Sequence, residues 1–255
     1  MLRKFYILVF VLFGWNAHAN ISLSPYFLEM GDSTGRTGQV RFTNTSQSEK
    51  TYDITLVNFA QKSDGAYTTI TTPVPGNPFA DAYLEWAPHQ ATLQPGQSQV
   101  VRVRRRGMAA VPNGEYVSHL LIREQPATSE MYGKYADKNN ALVVNLQPLY
   151  GVSIPVMIEH GRLWSSGRID NVRIVNRNGH PVALVSVSRD GNRSFFGTVT
   201  VSDGRRELGR IANFRIFMTT PMRILEVPLT RTPSRDAVIT LIDENANETV
   251  DTKNI

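Results

Sequence analysis

Gln39-Val40-Arg41-Phe42-Thr43 decides the fold class. Polar and apolar side chains exchange places at every step, the period of a strand with one face buried and one wet. The same period returns in Val101-Arg102-Val103-Arg104, in Val172 and Ile174, and in Val182 and Leu184 with Ser186 and Ser188. Thr198-Val199-Thr200-Val201 and Ala237-Val238-Ile239-Thr240-Leu241 add β-branched residues, which pack well on a pleated surface. Turn clusters punctuate these runs: Gly31-Asp32-Ser33, Ser63-Asp64-Gly65, Pro95-Gly96, Pro112-Asn113-Gly114, Asn178-Gly179, Asp190-Gly191-Asn192 and Asp203-Gly204. Strands recurring roughly every 8–12 residues belong to sandwiches or barrels. No long amphipathic helix interrupts them. The chain reads as all-β.

Composition narrows the class further. The chain has 255 residues, no cysteine, 41% hydrophobic and 19% charged residues, and a formal charge of +5. That length can bury a sizeable core, and the apolar content argues against disorder. Without cysteine there are no disulfides, thiolate metal sites or Cys nucleophiles. A mean hydropathy of −0.23 excludes a multi-span membrane protein. Residues 1–19 read as a secretory signal peptide: Arg3 and Lys4, the apolar run Phe5–Trp15, then Ala17-His18-Ala19. Cleavage there would leave 236 residues and remove Arg3 and Lys4, so that 25 basic residues face 22 acidic ones. The expected compartment is the periplasm of a Gram-negative bacterium. No second stretch reaches the ~20 apolar residues of a membrane span, so no stable membrane insertion is expected.

The longest strand-like segment is Ala141 to Ile158, ALVVNLQPLYGVSIPVMI, which gives out at Glu159-His160-Gly161. We place a domain boundary there, giving domains at 20–158 and 162–255. Residues 20–158 carry 11 basic and 11 acidic side chains, whereas 159–255 carry 14 and 11. The surplus lies wholly in the second half. The polar loop MYGKYADKNN (131–140) feeds Ala141-Leu142-Val143-Val144-Asn145-Leu146, apolar on both faces. Such a strand is either covered twice or presents an adhesive row that can be donated to a partner.

Catalysis finds little support. His89, His119, His160 and His180 lack the spacing of a helical metal pair, and HExxH, GxSxG, GxxxxGK and GxGxxG are absent. The acidic cluster Asp243, Glu244, Glu248 and Asp251 lacks the spacing of a calcium loop. No cofactor is expected. In the run Arg102, Arg104, Arg105 and Arg106, the residues Arg102 and Arg104 read as the wet face of a strand that also discourages edge pairing, and the run lacks the interleaved aromatics of a nucleic-acid site.

Several segments, in order, resemble the periplasmic pilus-assembly chaperones of the PapD-like family. They are Ile21-Ser22-Leu23-Ser24-Pro25, Val40-Arg41-Phe42-Thr43-Asn44, and Trp86-Ala87-Pro88 followed by Leu93-Gln94-Pro95-Gly96-Gln97-Ser98-Gln99-Val100-Val101-Arg102-Val103. Tyr116 to Pro126, ending Arg123-Glu124-Gln125-Pro126, completes the match. The resemblance covers most of 21–158 and rests on length and β-character beyond it. It implies two immunoglobulin-like β-sandwich domains at an angle with a cleft between them. It also implies a non-enzymatic chaperone that stabilises and delivers fimbrial subunits by lending them a strand, with an outer-membrane usher as a possible recipient. Leu142, Val144 and Leu146 would be the donated side chains, with Val143 the alternative register. The family's subunit-anchoring arginine and lysine fall at Phe27 and Tyr150, and no Arg or Lys lies within 21–35 or 141–158. A charge-assisted carboxylate clamp cannot be built from those two strands, so either hydroxyl and backbone donors hold the partner's terminus, with Tyr150 a candidate, or the chain is a divergent member with another client. A structural β-sandwich component of a surface appendage is the alternative reading.

Overall fold

Alternating side chains become alternating burial in the computed structural model, which describes residues 20–70, 79–108, 111–126 and 149–255. The signal-peptide reading of 1–19 and the strand positions Leu142, Val143, Val144 and Leu146 lie outside the described residues. The first ten strands in chain order are β1 (Ile21–Ser24), β2 (Leu28–Met30), β3 (Thr37–Asn44), β4 (Lys50–Gln61) and β5 (Tyr67–Ile70), followed by β6 (Leu84–Ala87), β7 (Gln90–Leu93), β8 (Ser98–Arg105), β9 (Gly114–Glu124) and β10 (Gly151–His160). They form two sheets, β1-β3-β8-β6 and β2-β10-β9-β4-β5, with β7 added on β4. The strands β11 (Ser165–Arg177), β12 (His180–Gly191), β13 (Phe195–Asp203), β14 (Arg206–Ile216), β15 (Met222–Pro228), β16 (Val238–Asp243) and β17 (Glu248–Asn254) follow. They too form two sheets, β11-β12-β15 and β14-β13-β16-β17.

Each pair of sheets encloses its own core. Phe42, Tyr52, Ile54, Leu120, Ile122, Val156 and Ile158 belong to the first, where Phe42 meets Tyr52 edge-on at 5.5 Å. Phe195, Val199, Leu208, Ile216, Ile239 and Leu241 belong to the second. In β3 the buried positions are Val40, Phe42 and Asn44. Asn44 is tolerated inside because its amide donates to the Leu93 carbonyl at 2.9 Å and to the Ser48 carbonyl at 2.8 Å. Satisfied in this way, a buried amide holds the turn after β3 onto β7. The Asn178-Gly179 turn joins β11 to β12 with φ of 52° and 85°, the left-handed pair that a tight hairpin requires.

The arginine run behaves differently from its reading as an edge. β8 is an interior strand, between β3 and β6. Arg102 and Arg104 are exposed as alternation demands, but Arg105 points inward, where its guanidinium, 4% exposed, meets Asp32 at 2.9 Å. That contact holds the Asp32 carboxyl below its usual range. Arg104 and Arg106 both hold Glu85. The run closes one end of the first sandwich upon itself. β10 also continues past Ile158 to His160, because Glu159 and His160 still pair with Glu115 and Gly114.

Candidate functional site: an open strand edge and the seam behind it

β10 is paired with β9 along its whole length, whereas β2 covers its other side only from Val156 to Ile158. The Tyr150 carbonyl accepts the Glu124 N–H at 2.9 Å. Antiparallel alternation then turns the backbone groups of Gly151 and Ser153 away from β9. Among the described residues, Gly151–Pro155 is therefore an unpaired edge. Pro155 fits such a position, since it brings no N–H to be left unsatisfied. Across from it runs β1, whose strand pairing among the described residues is with β3 alone.

Between these edges lies an open groove of about 560 Å³, lined by Ile21, Leu23, Tyr26, Val152 and Ile154 among others. Large apolar side chains are exposed on and next in sequence to its lining: Tyr26, which lines it, is 78% exposed, and Phe27, Leu149 and Tyr150 are 51%, 44% and 47% exposed. Exposed apolar side chains beside unsatisfied backbone groups are the components of strand addition, in which main-chain bonds supply affinity and alternate side chains fill a groove. The edge runs backward in sequence towards Leu142, Val143, Val144 and Leu146.

Tyr150 immediately precedes β10 and Phe27 immediately precedes β2; both are exposed, and neither is among the residues that line the groove. The described parts of 21–35 and 149–158 carry no cation of their own, but other elements bring cations close. Arg123 on β9 is exposed and stands directly opposite Gly151, where a Cβ would touch the Arg123 stem at 3.4 Å. Arg215 on β14 approaches Glu29 of β2 at 3.8 Å and donates to Met157 Sδ at 2.8 Å.

Behind the edge, the same sheet packs on the second set of strands. Buried Gln61 works as a two-sided clamp: its Oε1 accepts the Phe217 N–H at 3.0 Å and its Nε2 donates to the Arg215 carbonyl at 3.2 Å. The Ile224 N–H donates to the Ser63 carbonyl at 2.7 Å. Ser194 donates its hydroxyl to Glu115, and burial pushes the Glu115 carboxyl up from its ordinary range. Charge is sorted across this seam. Glu29 of β2 faces Arg215, Glu159 of β10 faces Arg193, and Arg215 also lies 5.3 Å from the centre of the Phe196 ring. Part of the basic surplus of the second half is thus spent inside the molecule. Sequence reading missed Gln61, Glu115 and Ser194. Gln61 and Glu115 are polar residues in strands and Ser194 lies in the β12–β13 connection, all three covered by distant parts of the chain, and periodicity does not report what covers a face.

No protein-family model and no curated protein sequence matches the chain. Solved structures do resemble it. The YadV chaperone is 11% identical, the match covering 92% of this chain and 100% of that one with a TM-score of 0.50. A chaperone–tip adhesin complex concerned with CFA/I fimbriae biogenesis is 12% identical, with 89% and 92% covered and a TM-score of 0.49. The CsuC–CsuE chaperone–tip adhesion subunit pre-assembly complex from the archaic chaperone-usher Csu pili of Acinetobacter baumannii is also 12% identical, with 93% and 98% covered and a TM-score of 0.49. The likeness to the YadV chaperone is one of fold, and the all-β arrangement of two immunoglobulin-like sandwiches expected from the sequence is the one the chain adopts.

Proposed function

We propose that this protein is a periplasmic chaperone that captures, stabilises and delivers fimbrial or related secreted β-sandwich subunits by strand donation. Its two sandwiches would be residues 20–158 and 162–255, and its chemistry would be binding, without catalysis or cofactor. The observation that carries the reading is the unpaired edge Gly151–Pro155 beside an apolar groove, in a fold shared with the YadV chaperone. The edge continues in sequence into Leu142, Val144 and Leu146, which would enter the subunit's incomplete core, with Val143 marking the alternative register. At ~25 cal/mol per Å² of apolar surface removed from water, a few aliphatics inserted in this way stabilise a subunit by several kcal/mol. Tyr150 and Phe27 would flank the subunit's terminus, the Tyr150 hydroxyl serving where a lysine is lacking.

The test is affinity purification from periplasmic extract with mass spectrometry of whatever co-elutes. Secreted β-sandwich subunits should co-elute with the native chain and be absent with the Leu142→Thr, Val144→Thr, Leu146→Thr triple variant. Equal recovery with both would sink the strand-donor assignment. Recovery of the chain in sedimented surface appendages would favour a structural component instead.

A further inference from the structure

His119 stands in the seam between the two sandwiches, only 8% exposed. Its ring meets Phe59 edge-on at 4.8 Å and Tyr67 at 6.1 Å from the first sandwich, and Phe217 of the second at 6.5 Å. Its Nδ1 is buried and has no hydrogen-bond partner among the described residues. Its neighbours across the sheet are uncharged, Val57 on β4 and Pro155 on β10.

The charged groups nearby offer a second positive charge no partner. Tyr67 is the titratable side chain in the cage itself. Arg215 of β14 lies 6.0 Å from the Phe217 ring centre, and Arg223 of β15 acts on Tyr67 and on Asp64 of the β4–β5 turn. On β9 itself Glu115 is engaged by Ser194, and Arg123 is a further cation. An imidazolium here would sit among aromatic edges, with arginines on the far side.

We propose that this seam is an acid-released joint, held shut by neutral His119 and opened when His119 takes up a proton. Burial alone accounts for the direction: it lowers the His119 value from 6.5 to about 4 in the closed form, and opening returns the ring to water. The charged form is therefore penalised only while the joint is closed. The contribution of His119 to closure is undiminished above pH 6.5, weakens as pH falls towards 4, and weakens no further below that. Between pH 7.5 and pH 5 the His119 contribution lowers the closing equilibrium about 30-fold. Glu115 has the opposite sign, since burial raises its value, and its ionisation would loosen the seam on the alkaline side. Acid release is thus specific to the histidine.

Two amides read the opening directly: Phe217 N–H, held by Gln61, and Ile224 N–H, held by Ser63. Their hydrogen-exchange protection, corrected for intrinsic rates, should fall about 30-fold further between pH 7.5 and pH 5 in the native protein than in His119→Leu, which keeps the Glu115 contribution. Amides of β13 and β16 should stay protected in both. His119→Gln provides the same comparison should the leucine variant lose that protection. The same pH profile in the native protein and in the variants overturns the proposal. Nuclear magnetic resonance of the imidazole adds an independent check: a titration midpoint near 4 supports the joint, and one near 6.5 overturns it.

Discussion

The two sandwiches treat their strand edges in opposite ways. In the second, the outer side of β11 is sealed by side chains from β17: Asp251 accepts the Ile169 N–H at 2.7 Å and Lys253 donates to the Asp170 carbonyl at 2.6 Å. The edge of β15 is capped from the first sandwich through Ile224 and Ser63. In the first, Gly151–Pro155 has neither a strand nor such a cap among the described residues, and exposed Tyr26 lines the groove beside it. Unprotected edges invite aggregation, and natural sheets usually blunt them. One chain that closes its edges in one sandwich and leaves an edge open beside a groove in the other has the means to close both. The difference supports a binding role for the open edge.

The largest way to break the comparison is through the sealed sandwich's own core. Phe195 is fully buried, and Gly167 and Gly197 make room for it, because a Cβ at either would lie within 2.6 Å of its ring. Phe195→Ala should cost about 3–5 kcal/mol. Denaturant unfolding followed through Trp164 should shift by that amount, while Trp86 reports the first sandwich. A joint shift of both signals would show that the seam makes the two sandwiches one cooperative unit; a shift confined to Trp164 would keep them separate.

How much of this was legible in sequence follows from what a period of two encodes. Val40, Phe42, Val101 and Val103 announced their strands because one face is buried and the other wet. Asn178-Gly179 announced its hairpin because left-handed backbone narrows the choice of residue. Strand order is a different matter. That β8 is interior, and that β10 loses its second partner before Val156, depends on pairings distant in sequence. Arg105 looks like its neighbours Arg104 and Arg106, and only the position of Asp32 explains why it turns inward. The seam was hidden for the same reason. Gln61 and His119 sit at polar-face positions, and the cover comes from residues nearly a hundred or more positions away.

A middle-sized effect tests the seal. Asp251→Ala removes the acceptor of the Ile169 N–H and uncovers the β11 edge. Loss of a charged acceptor from a partly buried donor costs about 1–3 kcal/mol. The variant should melt earlier by that margin and self-associate with rising concentration in sedimentation velocity. Native-like sedimentation at every concentration would mean that Asp251 contributes stability without guarding the edge.

The smallest expected change in stability is also the sharpest test of the open edge. Ser153 directs its N–H to the side of β10 that β2 leaves uncovered, so Ser153→Pro removes a donor that no described strand uses. Proline is accepted at such positions, as Pro155 already is two residues on. The cost to folding should stay within about 1 kcal/mol. Any partner that adds a strand there would lose a main-chain bond and meet the ring's bulk in its path. Ser153→Ala retains the N–H and serves as the control. Co-elution of periplasmic partners should therefore survive Ser153→Ala and fail with Ser153→Pro at nearly unchanged melting. Partners retained equally by both variants would mean that this edge, though open, is not where they bind.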